Sequence, residues 1–284
     1  MKPHIPSSIK SLNTNPPNMT TAPLPSRYEI RQLGPEHAEW AQALVTHSNM
    51  FYSRLWTVIY PENKTARAYA TFHGTDYLVA HQIDSGLSLG VFDKEWTPKY
   101  PESAATGGKL HWNFDDETAD AEKLLEQMDF PLVSVALSYD SINALDMSKM
   151  GGAIAALPAF ASVYGGLAAK DKRDPQTWAA TEAGQVLFRN ATSTRREHEG
   201  KGLMKVLAHY LMHKSAKEGF RGIQIEAVND AVTHVWSKPP APYSGEIVST
   251  LDSATYEEQD DQGNKSYPLQ PSEQIVNKIY VALK

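Results

Sequence analysis

The chain has 284 residues, of which 41% are hydrophobic and 21% charged, and its formal net charge is −6 at pH 7. It contains no cysteine, which excludes disulfides, thiolate metal sites and a cysteine nucleophile. The acidic balance argues against a nucleic-acid partner. No apolar run approaches the ~20 residues of a membrane span. We therefore expect a globular protein located in the cytoplasm. A nuclear location is the alternative.

The first 26 residues contain six prolines among Ser, Thr and Asn. This composition cannot bury enough apolar surface to offset the entropy lost on ordering. We predict a disordered tail over residues 1–26 and one folded domain over residues 27–284.

The folded part begins with a predicted strand at 28–33 and a helix that opens at Gly34-Pro35, since proline fits the first helical turn. The aromatic-rich segment 50–72 is predicted to be helical. Two apolar runs flank Asp84-Ser85-Gly86, a pattern typical of a hairpin. We predict two strands there, at 77–83 and 87–92.

The pattern is less regular over residues 97–184, which contain an acidic helical candidate at 115–128 and an alanine-rich apolar stretch at 154–169. We predict a large helical insertion there. The order is clearer from residue 185 onward, where strands alternate with helices. The predicted elements are a strand at 186–194, a helix at 202–217, strands at 222–228, 245–251 and 275–283, and a short helix after Asn229.

Two glycines precede the helix predicted at 202–217. Gly200 and Gly202 allow a close approach of the backbone to a ligand. The first turn of a helix also offers unpaired amides and the positive end of the helix dipole. We therefore predict an anion-binding loop.

This order of elements resembles the GNAT superfamily of acyl-CoA-dependent N-acyltransferases. The resemblance rests on a strand, an arginine-rich turn with Gly-x-Gly, an amphipathic helix, and the run Ile223-Gln-Ile-Glu-Ala-Val-Asn229. Residues 185–284 are also similar to uncharacterised fungal GNAT-like proteins, through the segments 189–195 and 230–236. The resemblance implies an α/β fold with a mixed, mostly antiparallel twisted sheet flanked by helices. It also implies two strands that splay apart, with acetyl-CoA as co-substrate between them.

The resemblance further implies which residues hold acetyl-CoA. The leading position of the family's Arg/Gln-x-x-Gly-x-Gly/Ala loop falls on Glu197, so the two preceding arginines are the candidates to supply charge. The implied set is Asn190, Ala191, Thr192, Ser193, Thr194, Arg195, Arg196, Glu199, Gly200, Lys201, Gly202, Leu203, Asn229 and Trp236.

The catalytic candidates follow from the same alignment. A tyrosine that protonates the leaving thiolate in many family members corresponds to Trp236, whose indole is no practical acid. His234 and Tyr243 are the nearby substitutes, although each is also a residue type common in packing. Glu226 is the candidate general base. An ion pair or a solvent-facing position would explain this glutamate equally well.

The sequence therefore predicts an N-acetyltransferase that moves an acetyl group from acetyl-CoA to a primary amine of a small acceptor by direct attack. The alternative is a catalytically weak or inactive acyl-CoA-binding or protein-interaction module on the same fold. Another acyl donor or a hydroxyl acceptor also stays open. We expect no metal, since the histidines lack metal-ligand spacing, no membrane or nucleic-acid partner, and a monomer or homodimer.

Overall fold

The computed structural model describes residues 23–284, so most of the predicted disordered tail lies outside the described residues. Its centre is a seven-stranded sheet. The sheet strands are β1 (Tyr28–Gln32), β2 (Leu89–Asp93), β5 (Leu132–Asp140), β6 (Val186–Thr194), β7 (Gly222–Ala227), β8 (Ser244–Asp252) and β11 (Ile275–Ala282). Two short ladders join β3 (Lys109–Leu110) to β4 (Met128–Asp129) and β9 (Glu258–Gln259) to β10 (Lys265–Ser266).

Helices cover both faces of the sheet. They are α1 (Ala38–Tyr52), α2 (Trp56–Ile59), α3 (Lys64–Gly74), α4 (Asp76–Asp84), α5 (Pro101–Thr106), α6 (Ala121–Glu126), α7 (Gly151–Ala156), α8 (Ala159–Lys170), α9 (Pro175–Trp178), α10 (Leu203–Lys217) and α11 (Asp230–Ser237). Short 3-10 helices span Pro35–His37, Met147–Lys149 and Arg196–His198.

The strand order is β1-β2-β5-β6-β7-β11-β8, and β6 with β7 is the one parallel pair described in this sheet. The helix α10 connects these two strands, as a parallel crossover requires. All the other neighbours in the sheet are antiparallel. The prediction of a mixed, mostly antiparallel sheet flanked by helices is confirmed.

Successive residues of β2 show how the two faces are packed. Val91 belongs to a core cluster with Leu207 and Leu211 of α10. Phe92 belongs to a second cluster with Leu44 of α1 and Phe72 of α3. Because side chains alternate between the faces of a strand, α10 covers one face and the N-terminal helices cover the other.

Most of the predicted elements after residue 185 are confirmed, but two earlier predictions are wrong. The segment 77–83 is helical, because Leu78, Val79, Gln82 and Ile83 are buried at helical spacing along one side of α4. Only the second half of the predicted hairpin is a strand.

The segment 97–184 is not wholly helical either. It contains β5, which lies in the middle of the sheet and has all nine residues buried. A strand buried on both faces lacks the alternation that marks a half-exposed strand, and its sequence pattern is therefore ambiguous. The acidic candidate at 115–128 is helical only over α6, which Asp120 caps by accepting a hydrogen bond from the Lys123 amide at 2.8 Å.

Helices α3 and α7 touch through two glycines. A Cβ on Gly74 would lie 2.5 Å from the carbonyl oxygen of Gly152, and a Cβ on Gly152 would lie 2.9 Å from the Cα of Gly74. Real Cβ atoms do not approach backbone this closely, so the helices would have to separate. This contact fixes α3, which carries Thr71 of the cavity described below.

We expect Gly74→Ala to lower the free energy of unfolding by about 1–3 kcal/mol through overpacking. The matched control is Gly151→Ala in α7, where the added Cβ meets nothing within 4 Å. That control should be neutral or stabilising, because alanine favours helix over glycine. Urea denaturation of the two variants measures the difference, and equal stabilities would show that the glycine contact does not constrain the helices.

Candidate active site

The parallel strands β6 and β7 separate part-way along their length. They pair from Val186 with Gly222 as far as Arg189 with Ile225. Beyond that point, among the described residues, 191–194 pair only with β5, and Glu226 pairs only with Lys278 of β11. The sheet therefore opens into a wedge whose narrow end lies at Arg189.

A β-bulge lies at the start of the wedge. Ala191 pairs with Leu137 of β5, whereas the next pairing joins Arg189 to Ser138, so Asn190 is the extra residue. A bulge bends the strand and increases its twist. We attribute the divergence of β6 from β7 to this bend. The Asn190 amide oxygen accepts a hydrogen bond from Gln82 of α4 at 3.2 Å.

A cavity of about 650 Å³ fills the wedge. The whole of 189–194 lines it, together with 226–229 and residues from α1, α3, α4, α8 and α10. Beyond Arg189, the edge of β6 that faces the cavity has no strand partner among the described residues. The hydroxyls of Thr192 and Ser193 are buried and have no hydrogen-bond partner within residues 23–284. The cavity wall thus offers the backbone groups of this strand edge to a ligand.

The glycine loop closes one end of this cavity. Gly200 and Gly202 line it and adopt φ angles of 72° and 74°, in the left-handed region that glycine favours. Gly202 is the N-cap of α10. The residues that follow, Leu203, Met204 and Lys205, also line the cavity. Their amides belong to the first turn of α10, so the loop has the arrangement of an anion site.

Positive side chains surround this end of the cavity. Arg196 and Lys205 line the cavity beside the glycine loop, and Arg54, which lies 4.0 Å from the Asp230 carboxylate, lines the cavity as well. Arg196 forms an ion pair of 2.5 Å with Glu199, and its guanidinium lies 4.9 Å from the ring centroid of Tyr52. These flexible cations increase the attraction of the loop for phosphate groups.

The two arginines before the loop have different environments. Arg195 is 7% exposed, does not line the cavity and donates hydrogen bonds to the carbonyls of Met128 (2.8 Å) and Phe130 (3.1 Å). It also forms an ion pair of 2.7 Å with Glu197. Its backbone amide donates to the Val133 carbonyl of β5 at 2.8 Å. Arg195 therefore ties the loop to β4 and β5, and the structure does not place it at the predicted phosphate site.

We expect Arg195→Gln to lower the free energy of unfolding by about 3 kcal/mol, since it leaves buried carbonyl oxygens without a donor. Arg196→Gln should leave stability within about 0.5 kcal/mol, because its side chain is exposed. Acetyl-CoA affinity should show the reverse order, with the larger loss in Arg196→Gln. Thermal unfolding and calorimetric titration of both variants provide the comparison. A larger affinity loss in a folded Arg195→Gln would contradict this assignment.

Glu226 lies where the wedge begins, on the β7 side. It lines the cavity, and the amide of Gln224 lies 3.5 Å from one of its oxygens. Burial raises the pKa of this carboxyl, an effect that Lys278 and Arg189 partly offset. A cavity carboxylate whose pKa is raised accepts a proton more readily than an ordinary glutamate, which suits a general base.

Arg189 lies at the narrow end of the wedge. The residue is 2% exposed and lines the cavity, and its Nε has no hydrogen-bond partner among the described residues. Its guanidinium carbon is 5.2 Å from the ring centroid of Trp236. Burial lowers the pKa of Arg189 to about 9, which still leaves the side chain charged at pH 7.

Aromatic side chains form the wall that helices α2 and α8 contribute. Trp56, Phe160 and Tyr164 line the cavity. The rings of Phe160 and Tyr164 have centroids 4.4 Å apart, and Trp56 stacks on Phe160 at 6.5 Å. Burial, with a contribution from the Glu226 carboxylate, raises the pKa of Tyr164, so its phenol is protonated at neutral pH.

The other predicted site residues are more scattered. Trp236 is fully buried below Arg189 and does not line the cavity. His234 is exposed and Tyr243 hydrogen-bonds to His213 at 2.9 Å, and neither lines the cavity. Lys201 donates to the Glu197 carbonyl at 2.7 Å, also outside the cavity lining. His234 and Tyr243 therefore do not share the cavity lining with Glu226, and their role as proton donor stays a prediction.

The remaining predicted residues do share the cavity. Asn229 lines it, although its side-chain oxygen is already used to cap α11, accepting from the Ala231 amide at 2.8 Å. The cavity-lining members of the predicted set are Asn190, Ala191, Thr192, Ser193, Thr194, Arg196, Glu199, Gly200, Gly202, Leu203, Glu226 and Asn229.

Comparison with known proteins finds the same architecture. No family model matches the sequence, and no curated protein sequence matches it. The C-terminal condensation domain of Ebony, solved in complex with beta-alanyl-dopamine, has a TM-score of 0.56 at 14% identity and covers 89% of this chain and 97% of that chain. Arylalkylamine N-acetyltransferase 2 from Aedes aegypti has a TM-score of 0.54 at 11% identity, covering 90% and 99%.

A third structure, an apo form of a variant agmatine N-acetyltransferase, has a TM-score of 0.51 at 12% identity and covers 90% of this chain and 98% of that chain. The chain has the GNAT fold. At these identities the likeness concerns the fold alone, and the similarity to uncharacterised fungal GNAT-like proteins stays a prediction.

Several residues that line the cavity of this GNAT fold are absent from the predicted set, and two of them, Arg189 and Tyr164, lie beside Glu226 in the same cavity. Arg189 interrupts the apolar start of a predicted strand, which is an informative signal because arginine is rarely buried without a partner. Tyr164 carries no such signal, since it lies in an alanine-rich helix far from the rest of the site in sequence.

None of the helices in the described residues has the length and apolar character needed to cross a membrane. Residues 23–284 contain no group of three or more His, Asp or Glu side chains arranged to hold a metal ion. The absence of a metal and the cytoplasmic location stay predictions.

Proposed function

We propose that this protein transfers an acetyl group from acetyl-CoA to the primary amine of a small acceptor. The observation that carries the proposal is the free edge of β6 at residues 190–194, which lines a cavity and leads to the glycine loop before α10. The names of the structural neighbours, which act on arylalkylamines and agmatine, support an amine as acceptor.

The residues present fit acetyl-CoA. An unpaired strand edge inside a cavity needs hydrogen-bond partners, and the amides of a pantetheine arm can provide them along residues 190–194. The amides of the first turn of α10, together with Arg196 and Lys205, suit the pyrophosphate. Bound acetyl-CoA would supply a thioester carbonyl as electrophile and a thiolate as leaving group.

Glu226 is our proposed general base. Its carboxylate takes a proton from the acceptor ammonium, which frees the nitrogen lone pair for attack on the acetyl carbonyl. The new C–N bond forms while the C–S bond breaks. The role stands on the position of Glu226 at the cavity wall, where the wedge begins.

Tyr164 replaces His234 and Tyr243 as our proposed proton donor. It lines the same cavity as Glu226, and its raised pKa keeps the phenol protonated. The phenol gives its proton to the departing sulfur and regains one from the acylated nitrogen. The net reaction releases one proton, the one that Glu226 removed from the ammonium.

We expect Tyr164→Phe to lower kcat by about 10²-fold, at the low end for general acid catalysis because a thiolate is a good leaving group. Acetyl-CoA affinity should be retained, since the substitution removes only the hydroxyl. An unchanged kcat in a folded variant would remove Tyr164 from the reaction.

The experiment that tests the proposed function is a thiol-release assay with purified protein, acetyl-CoA and a panel of small amines, with the acetylated product identified by mass spectrometry. Amine-dependent release with an N-acetyl product is the expected result. If acetyl-CoA binds but no amine in the panel is acetylated, the transfer reaction is contradicted and the acyl-CoA-binding module is favoured.

A further inference from the structure

The guanidinium of Arg189 is the feature of the cavity that acetyl transfer to a simple amine does not explain. It is 2% exposed, its Nε has no hydrogen-bond partner in residues 23–284, and it lies against the ring of Trp236. The Glu226 carboxylate acts on it electrostatically, but no hydrogen bond joins the two side chains among the described residues. A buried charge without a hydrogen-bonded counter-charge costs several kcal/mol. Such a charge is kept at a cavity wall when a ligand supplies the counter-charge.

We propose that Arg189 binds a carboxylate of the acceptor, so that the substrate class is amino carboxylic acids. This inference rests on the proposed function, because it concerns the acceptor of the same reaction. The two charged groups at the narrow end of the wedge, Glu226 and Arg189, are then complementary to the ammonium and the carboxylate of one molecule.

The charges of CoA are not available to Arg189. The anion site for its pyrophosphate lies at the glycine loop, beyond residue 194, whereas Arg189 lies before residue 190. The five intervening residues of extended strand span about 16 Å. An anion that pairs with Arg189 therefore comes from the acceptor side of the cavity.

The charged groups around Arg189 also disfavour a plain amine. Lys278 contributes positive charge near Glu226, and its own closest carboxylate is Asp171 at 3.4 Å. An acceptor that carries only an ammonium would approach Glu226 against the charge of the guanidinium. An acceptor that also carries a carboxylate neutralises this charge as it binds.

The aromatic wall defines the rest of the acceptor. Trp56, Phe160 and Tyr164 offer apolar ring surface beside the charged pair. An amino acid with an aromatic or other apolar side chain fits this combination, since the side chain packs on the rings while its charged groups meet Glu226 and Arg189.

Matched acceptor pairs that differ only by a carboxylate test this inference. The pairs are phenylalanine with phenethylamine, tryptophan with tryptamine, and β-alanine with propylamine. In wild type we expect the carboxylate member to have the higher kcat/KM in at least one pair. Arg189→Gln should reduce that preference by about 30-fold or more, as expected for loss of one partner of a buried charge pair.

The matched control is Arg196→Gln, which removes a cation from the opposite end of the same cavity. It should lower kcat/KM for both members of a pair by the same factor. If Arg189→Gln, like the control, lowers kcat/KM for both acceptors of a pair by the same factor while KM is unchanged, the inference is overturned. Arg189 then acts on the reacting atoms instead. A wild-type preference for the amine without a carboxylate in every pair also overturns it.

A binding measurement keeps the inference testable if Arg189→Gln does not fold. CoA-loaded wild-type protein is titrated calorimetrically with 3-phenylpropionate and with the neutral 3-phenylpropionamide. We expect the carboxylate to bind at least ~10-fold more tightly. Equal affinities overturn the anion site. Tight carboxylate binding without any acetyl transfer would support the anion site while contradicting the proposed function, so the two failures are distinguishable.

Discussion

Replacing Glu226 with glutamine should lower kcat for acetyl transfer by about 10²–10⁴-fold, the range typical for loss of a general base. Glutamine has nearly the same shape as glutamate but cannot accept the ammonium proton. Acetyl-CoA affinity should be unchanged, because the residues that we propose to bind acetyl-CoA lie on β6 and the first turn of α10. Steady-state kinetics and calorimetry on the same preparation separate these two effects.

The pH dependence of kcat/KM provides an independent test of the role of Glu226. Burial raises the pKa of Glu226. The carboxyl is therefore protonated, and unable to act as a base, up to a higher pH than an ordinary glutamate. We expect kcat/KM to fall as the pH is lowered through this raised pKa, and we expect this acid limb to be absent from the residual activity of Glu226→Gln.

The matched control is Glu246→Gln on β8, where the carboxylate is exposed and lies outside the cavity lining. Its kinetics should equal those of wild type. If a folded Glu226→Gln kept full activity with an unaltered pH profile, Glu226 would be a structural residue of the cavity wall, and the base would have to be sought among the other cavity residues.

Replacing Gly202 with glutamate should weaken acetyl-CoA binding by about 100-fold or more. The substitution places a carboxylate at the start of α10, where a unit charge 4 Å from a phosphate oxygen is repelled by about 4 kcal/mol at the effective dielectric of a protein surface. The left-handed φ of 74° adds a backbone cost of about 1–2 kcal/mol that affects folding rather than binding.

Gly184→Glu controls for the backbone cost. Gly184 has a φ of 81°, and, as at Gly202, a Cβ there meets nothing within 4 Å, but the residue does not line the cavity. We expect the two variants to lose similar stability and only Gly202→Glu to lose acetyl-CoA in calorimetric titrations. Equal acetyl-CoA affinities in the two variants would show that acetyl-CoA does not bind at the glycine loop.

The C-terminal part of the fold could be predicted from the sequence because its signals are local. The glycines of the loop, the apolar stripe of α10 and the Asn229 cap each mark an element boundary or a packed face within a few residues. The strand β5 and the helix α4 carried no comparable local signal, because long apolar runs fit either structure until tertiary packing selects one.

The candidate site could be predicted only in part, for a related reason. The cavity-facing residues of β6 follow from the strand and the loop, which are contiguous in sequence. Arg195 and Arg196 are neighbours in sequence, yet the first is held by the carbonyls of Met128 and Phe130 and the second lines the cavity. Which of the two arginines lines the cavity therefore depends on where β4 and β5 lie in the fold. Tyr164 reaches the cavity through the packing of α8, which no local pattern encodes.

We propose that acetyl-CoA lies in the wedge between β6 and β7. Amide hydrogen exchange of the wild-type protein, with and without saturating acetyl-CoA, tests it most directly. We predict slower exchange in peptides that cover residues 190–194 and 199–205, and unchanged exchange in β8 at the far edge of the sheet. Binding with protection confined to other segments, or a folded protein with no acetyl-CoA-dependent protection, would contradict the account.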